Sequence, residues 1–180
     1  MYKRQYPNYD PTANTDDGTC YKKMEVDNST FSDSTINIYA NTDVVLTEDI
    51  TIDNVNEYLD LQGDNITIDG KGYTITVTAI SYPGFIKNGE YSTSVDDTSA
   101  TYELLSNVTA GLCVNCTIKN INVAVNSSGS LAVEGGWIGQ KSFGVGINGG
   151  NILFENCSSS GDISELSLIH IWRCRREEVC

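Results

Sequence analysis

From Ser34 onward the chain is a succession of very short apolar alternations, which confines it to an all-β structure built from many small strands. Ile36-Asn37-Ile38-Tyr39, Val44-Val45-Leu46, Ile50-Thr51-Ile52, Leu59-Asp60-Leu61, Ile66-Thr67-Ile68 and Tyr73-Thr74-Ile75-Thr76-Val77 follow one another. Period-two alternation sends successive side chains to opposite faces, so each segment is read as a strand with one face buried. Asn, Asp and Gly separate them, as in Gly63-Asp64-Asn65 and Asp69-Gly70-Lys71-Gly72. These residues supply tight turns and positive φ. No segment carries a helical period, and Ala, Leu, Glu and Lys, which favour helix, are scarce. Residues 83–110 interrupt the pattern with Tyr82-Pro83-Gly84 and a polar run over 92–99, and are read as a loop or excursion. Strands are expected to resume at 112–114, 117–125, 131–133, 137–138, 145–147 and 152–154.

Three windows align without gaps. Asn65-Ile66-Thr67-Ile68-Asp69-Gly70, Asn115-Cys116-Thr117-Ile118-Lys119-Asn120 and Asn151-Ile152-Leu153-Phe154-Glu155-Asn156 share one form: Asn, apolar, variable, apolar, charged, then Gly or Asn. Solenoid repeats of this kind take roughly twenty to thirty residues, so the spacings suit two coils followed by one longer coil. A single coil cannot bury its inward residues, and stacking buries a continuous column. Ile66, Cys116 and Ile152 are expected in one column, with Ile68, Ile118 and Phe154 in the next. Asn120 and Asn156 are expected at a turn, where stacked amides bond from coil to coil.

Asn65 to Val77, NITIDGKGYTITV, resembles the coil motif of right-handed parallel β-helix proteins of the pectate-lyase-like class. Residues 135–164, GGWIGQKSFGVGINGGNILFENCSSSGDIS, resemble a Gly-rich repeat of bacterial adhesin-like and surface peptidase-associated proteins. Residues 8–20, NYDPTANTDDGTC, resemble short Asp/Asn-rich Cys repeats of surface and secreted proteins of marine bacteria and their phages. Together these imply a right-handed parallel β-helix (β-solenoid) fragment over 34–165, preceded over 6–33 by a Cys-repeat remnant and linker. An antiparallel β-sandwich is the alternative, and its strands are usually longer and more regular.

Both ends read as something other than protein. Residues 166–176, LSLIHIWRCRR, are what the transposase adapter of short-read sequencing libraries encodes when TGA is read as Trp. Residues 1–5, MYKRQ, are encoded by its opposite strand when GTG is taken as a start. The expectation is therefore that 1–5 and 166–180 are adapter, and that 6–165 is an internal piece of a longer gene. His170 and every arginine fall in the excluded ends. The formal charge of −13 for the whole chain becomes six lysines against twenty-two acidic residues, or −16.

That balance argues against a nucleic-acid partner, which needs clustered Lys and Arg. It equally disfavours anionic membrane surfaces, and no apolar run approaches the roughly twenty residues of a bilayer span. Acidic character with abundant Asn and Thr suits an extracellular or cell-surface protein whose signal peptide lies upstream. Asp10, Asn14 and Asp16, with Gly18, echo part of a calcium loop. Pro11 and the missing downstream bidentate Glu weaken that echo, and turn formation is the alternative. Cys113-Val114-Asn115-Cys116 is a lone CxxC, and zinc would have to recruit Cys20 and Cys157. The simpler reading makes Cys116 and Cys157 small buried apolar residues, with a disulfide open to an exported protein. Six Asn-x-Ser/Thr sequons, at Asn28, Asn65, Asn107, Asn115, Asn126 and Asn156, are expected by chance in this composition.

The β-helix resemblance carries no catalytic motif onto 6–165. Asp60, Asp64, Asp69 and Asp96-Asp97 read as solvated turn or loop acids. Without histidine, Ser/His/Asp and Cys/His nucleophile systems are excluded within that stretch. The favoured expectation is a non-enzymatic segment of a large surface protein, serving adhesion or as a stalk. The alternative is a piece of a carbohydrate-active β-helix enzyme, including a phage tailspike. A glycan or host-surface ligand is expected under either, with Tyr82, Phe85 and Tyr91 as candidate exposed aromatics.

Overall fold

The structure is a computed structural model that describes residues 21–31, 34–91, 108–109, 111–126, 128–132, 135–141, 143–144 and 151–161. Its strands are β1 (Lys22–Val26), β2 (Ile36–Ile38), β3 (Thr42–Leu46), β4 (Ile50–Ile52), β5 (Leu59–Leu61), β6 (Ile66–Asp69) and β7 (Thr74–Val77). They continue with β8 (Ile86–Lys87), β9 (Glu90–Tyr91), β10 (Val108–Thr109), β11 (Asn115–Lys119), β12 (Asn122–Val125), β13 (Asn151–Glu155) and β14 (Ser158–Ser159). Among the described residues the only helical element is a 3-10 turn at Asn28–Thr30.

The strands form three parallel sheets and one small hairpin. The five-stranded sheet runs β1-β3-β6-β11-β13, the four-stranded sheet β14-β12-β7-β4 and the three-stranded sheet β2-β5-β8. Along the chain, β2, β3 and β4 visit the three-, five- and four-stranded sheets in turn; β5, β6 and β7 repeat that order, and β8, β11 and β12 repeat it again. An all-β chain of parallel sheets visited in a fixed order is compatible with a β-helix. It excludes the antiparallel sandwich, since β9 with β10 is the sole antiparallel pairing among the described strands.

The inward columns hold the core. Register places Ile66 beside Cys116 and Cys116 beside Ile152, and likewise Ile68 beside Ile118 and Ile118 beside Phe154. Thr42 and Val44 extend the two columns onto β3. Ile50, Ile75 and Val123 line up in the four-stranded sheet, as do Leu59 and Ile86 in the three-stranded one. Nearly all are fully buried, while Ile152 on the outermost strand is half-buried and Phe154 is exposed. Each buried Ile or Leu contributes about 1.5–3 kcal/mol, whereas a hydrogen bond contributes about 1 kcal/mol net. The columns therefore dominate stability, and the polar groups at the junctions set register.

Those junctions are built by asparagine. Asn41, Asn65, Asn120 and Asn156 all take positive φ, between 52° and 57°, a conformation that Asn tolerates better than other side-chain-bearing residues. At one junction Asn65 Nδ2 donates to Asn41 Oδ1 at 3.3 Å. At the other, Asn156 Nδ2 donates to Asn120 Oδ1 at 3.3 Å, and Asn120 Nδ2 donates to Asp69 Oδ1 at 2.9 Å. The expected amide stack at Asn120 and Asn156 is thus present, and it ends on a carboxylate.

The acids read as solvated turn residues are structural. Asp60 lies in β5, 3.7 Å from Lys87 Nζ. Asp64 receives the Val114 and Asn115 backbone N–H groups at 3.0 and 2.6 Å and the Asn115 amide at 2.9 Å. Burial pushes its carboxyl upward, but these donors outweigh burial and hold it below the usual value. Asp69 is buried and meets Lys71 Nζ at 2.9 Å and Lys119 Nζ at 3.7 Å. Burial raises its carboxyl too, yet the Asn120 amide, the Lys71 N–H and the Lys71 ammonium bring it from 3.8 to about 2. A carboxyl depressed on folding stabilises above its unfolded pKa and loses that contribution as pH falls through the folded one. Acidification from pH 4 to pH 2 should therefore remove of the order of 1–2 kcal/mol through Asp69 alone. Unfolding curves of Asp69→Asn should fall less steeply over that window, and parallel curves would refute the assignment.

Several strand expectations need correction. A strand at Lys22–Val26 lies ahead of Ser34 and pairs with β3. The segment expected as one strand over 117–125 is two, broken at Asn120, whose positive φ ends β11. No strand forms at 112–114. Leu131 makes a single bridge to Tyr82 where a strand over 131–133 is expected, residue 133 itself lying outside the described residues, and 137–138 form no strand but lead into a single bridge from Gly139 to Ile86. The expected strand at 145–147 lies outside the described residues. The excursion also starts later than 83. Phe85 and Ile86 are fully buried and β8 pairs with β5, so the chain leaves the stack only beyond Lys87.

Asn88 marks that departure. It is fully buried, donates through Nδ2 to Cys113 O at 2.8 Å, and accepts Cys113 N–H at Oδ1 at 3.1 Å. One side chain thereby ties the point where the chain leaves to the point where it returns. Between them β9 and β10 pair as a hairpin neck.

Candidate ligand-binding groove

A groove of 420 Å³ opens beside the three-stranded sheet. Asn56 and Tyr58 reach it from the approach to β5, Pro83 from the approach to β8, and Lys87 from the end of β8. Gln140 and Lys141 also line it. They are placed there because residues 137–140 run alongside β8: Phe85 N–H donates to Trp137 O at 3.2 Å, Ile86 N–H to Ile138 O at 2.8 Å, and Gln140 N–H to Ile86 O at 2.9 Å. Buried Trp137 anchors this segment against the core.

The wall is fixed at close quarters. Gln140 Nε2 donates to Gly84 O at 3.0 Å. Gly84 has φ of +128°, and a Cβ there would stand 2.3 Å from Gly136 O. Only glycine fits. Lys87 and Asp60 are register partners pointing outward from neighbouring strands, 3.7 Å apart and largely covered. Such a pair contributes no more than about 1 kcal/mol, so its effect is chiefly to hold the ammonium at the groove. Two lysines, an aromatic ring and two amides thus line one concavity. Chemically, that set offers cationic and hydrogen-bonding recognition with one apolar platform.

The expected aromatic platform was placed on other residues. Tyr82 and Phe85 are completely buried; Tyr82 Oη donates to Glu57 O at 2.8 Å, and Phe85 packs against Phe31 with ring centroids 6.0 Å apart. Burial, then the neighbouring Glu57 charge, drives the Tyr82 hydroxyl well above its ordinary pKa, so it stays a neutral donor. Neither ring can meet a ligand. The Tyr91 side chain lies outside the described residues. Tyr58 takes their place at the groove, and it was missed because nothing in its sequence surroundings distinguishes it from other turn tyrosines.

The cysteines also resolve. Cys113 and Cys116 form a disulfide, so the CxxC thiols are paired with each other. Cys116 is buried as expected, but as half of a cystine; Cys157 is a half-buried free thiol. Among the described residues no group of three or more His, Cys, Asp or Glu converges as a metal site. The calcium candidates Asp10, Asn14 and Asp16 lie outside the described residues, as do Cys20, Asp96-Asp97 and both adapter-like ends. Among the described residues no helix is long and apolar enough to cross a membrane.

No protein-family model, no curated protein and no solved structure matches this chain.

Proposed function

We propose that this chain is a piece of a right-handed parallel β-helix from a large secreted or cell-surface protein, where it serves as a ligand-bearing stalk and not as a catalyst. The observation that carries this reading is the unbroken register of β1, β3, β6, β11 and β13, in which inward columns and junction amides repeat from strand to strand. Such stacking makes a stiff body whose length grows with each repeat. The Cys113–Cys116 disulfide supports an oxidising compartment. The resemblance to adhesin-like Gly-rich repeats agrees with a surface role.

The groove gives the stalk something to hold. A glycan suits its aromatic, amide and ammonium lining. A glycan array would test this directly, and binding without turnover is the expected result. Tyr58→Ala should weaken the best-bound glycan about tenfold, the loss of one aromatic contact, with unchanged thermal unfolding. An unaltered affinity would remove the groove from the reading. The groove also favours the second reading, a fragment of a carbohydrate-active enzyme, and cleavage of any glycan on the panel would make that the better account.

A further inference from the structure

The hairpin neck is fastened at one residue. Asn88 donates through Nδ2 to Cys113 O and accepts the Cys113 N–H at Oδ1. Its own carbonyl accepts the Gly144 N–H at 2.8 Å. The returning chain also lies hard against the amide, since a Cβ on Gly111 would stand 2.6 Å from Asn88 Oδ1. Cys113 is bonded in turn to Cys116 of β11. The fastening therefore runs from one side-chain amide, through a disulfide, to the five-stranded sheet.

The residue that follows is glycine. Asn88-Gly89 is the one asparagine–glycine step among the described residues. An asparagine side chain is open to attack by the backbone nitrogen of the next residue. Glycine offers that nitrogen unshielded, on the backbone with the widest freedom to reach it. The Gly89 nitrogen bonds to Asn88 Cγ, Nδ2 departs as ammonia with the proton from Gly89 N, and an imide ring is left. Water then opens the ring at either carbonyl. One opening gives aspartate at 88; the other gives isoaspartate, in which the main chain continues through the side-chain carbonyl. In sum, an amide and a water become a carboxyl group and ammonia. Water is the sole co-reactant, and Gly89 is half-buried on the lining of the groove, open to solvent.

The closed neck withholds this reaction. Ring closure swings Cγ onto the Gly89 nitrogen, and the side chain cannot turn while Cys113 holds both its ends in a fully buried place. Opening of the neck frees it. The change does not reverse on closing. A carboxylate at 88 has no proton to give the Cys113 carbonyl at neutral pH, and isoaspartate lengthens the main chain by a carbon.

We infer that Asn88-Gly89 is a self-modification site, a one-way latch in which opening of the neck is followed by deamidation and the neck stays unfastened. The inference stands on the neck alone and needs neither a glycan nor a surface role. For its test the full chain is aged at mildly alkaline pH, once folded and once in urea. Conversion at residue 88 is followed by peptide mapping and isoaspartate labelling. It should run about a hundredfold more slowly in the folded chain, the factor expected of two hydrogen bonds in a buried site. The urea-aged fraction converted at residue 88 alone is then separated by charge and refolded, beside fresh chain taken briefly through urea. Its Cys113 and Gly144 amides should exchange hydrogen at least about tenfold faster than in the fresh chain, with Ile68 and Ile118 still protected. Equal conversion in folded and unfolded chain would overturn the latch, as would no conversion in urea. So would a converted chain whose Cys113 and Gly144 amides stay as protected as the fresh ones. Lost protection at Ile68 and Ile118 would overturn it too, because the change would then unfold the stack instead of releasing the neck.

Discussion

Ile118→Asp should unfold the chain. Ile118 sits on β11, between β6 and β13 of the five-stranded sheet, fully buried, with Ile68 on one side and Phe154 on the other. An aspartate there loses the burial of an Ile, and it brings a carboxylate among aliphatic groups. The first loss alone is about 2–4 kcal/mol, and an unpaired buried charge adds several more. The sum rivals the whole stability of an ordinary domain, about 5–15 kcal/mol. Far-UV circular dichroism should show loss of β signal, and thermal scans should show no cooperative transition. A variant that melts like the parent would mean the inward column is misassigned.

Asn88→Asp should be the second most damaging change, with a dependence on pH that identifies the cause. The amide both gives and takes a hydrogen bond at Cys113, in a place without solvent. An ionised carboxylate can still accept the Cys113 N–H, but it faces the Cys113 carbonyl oxygen with no proton to offer. About 3 kcal/mol or more should be lost at pH 7. A protonated acid restores the donor. A buried acid has a raised pKa, so the penalty should shrink as pH falls toward 4. Asn88→Leu, which can neither donate nor accept, should show no such recovery. Chemical denaturation of both variants at pH 7 and pH 4 would decide it. Equal recovery, or none, would remove the two-bond account of the hairpin neck.

Much of the architecture was readable because short-range chemistry fixed it. Alternation marked β5, β6 and β7 within a residue or so, since their inward residues must be apolar and their outward ones need not be. The three Asn-led windows aligned because each spans a strand of the five-stranded sheet, with a positive-φ Asn at one end: Asn65 at the start of the first, Asn120 and Asn156 at the close of the other two. What failed depended on distant partners. Tyr82 and Phe85 flank a Pro-Gly turn and look exposed, but β5 and the 137–140 segment cover them. Asp64 looks like a turn acid until residues 114 and 115, half a hundred positions away, bring their N–H groups to it. Lys87 and Lys141 share a groove only because two loops of unequal length return to one edge. No local pattern encodes such a meeting. The sequence favoured Cys116 and Cys157 as small buried apolar residues and only left a disulfide open, whereas Cys116 is bonded to Cys113, which stands just ahead of β11.

The junction between the five- and four-stranded sheets barely varies: Asp69 to Thr74, Lys119 to Asn122 and Glu155 to Ser158 are all short passages, and the first two are joined through Asp69 and Asn120. The junction between the three- and five-stranded sheets is free by comparison, passing from Ile38 to Thr42 in one round and from Lys87 to Asn115 in another. Length differences are therefore far greater at this junction than at the one between the five- and four-stranded sheets. Variation can lengthen, replace or delete an arm there while the spine keeps its register, provided a residue like Asn88 fastens its base. For anyone wishing to display a foreign peptide on this scaffold, the hairpin neck is the place to splice it.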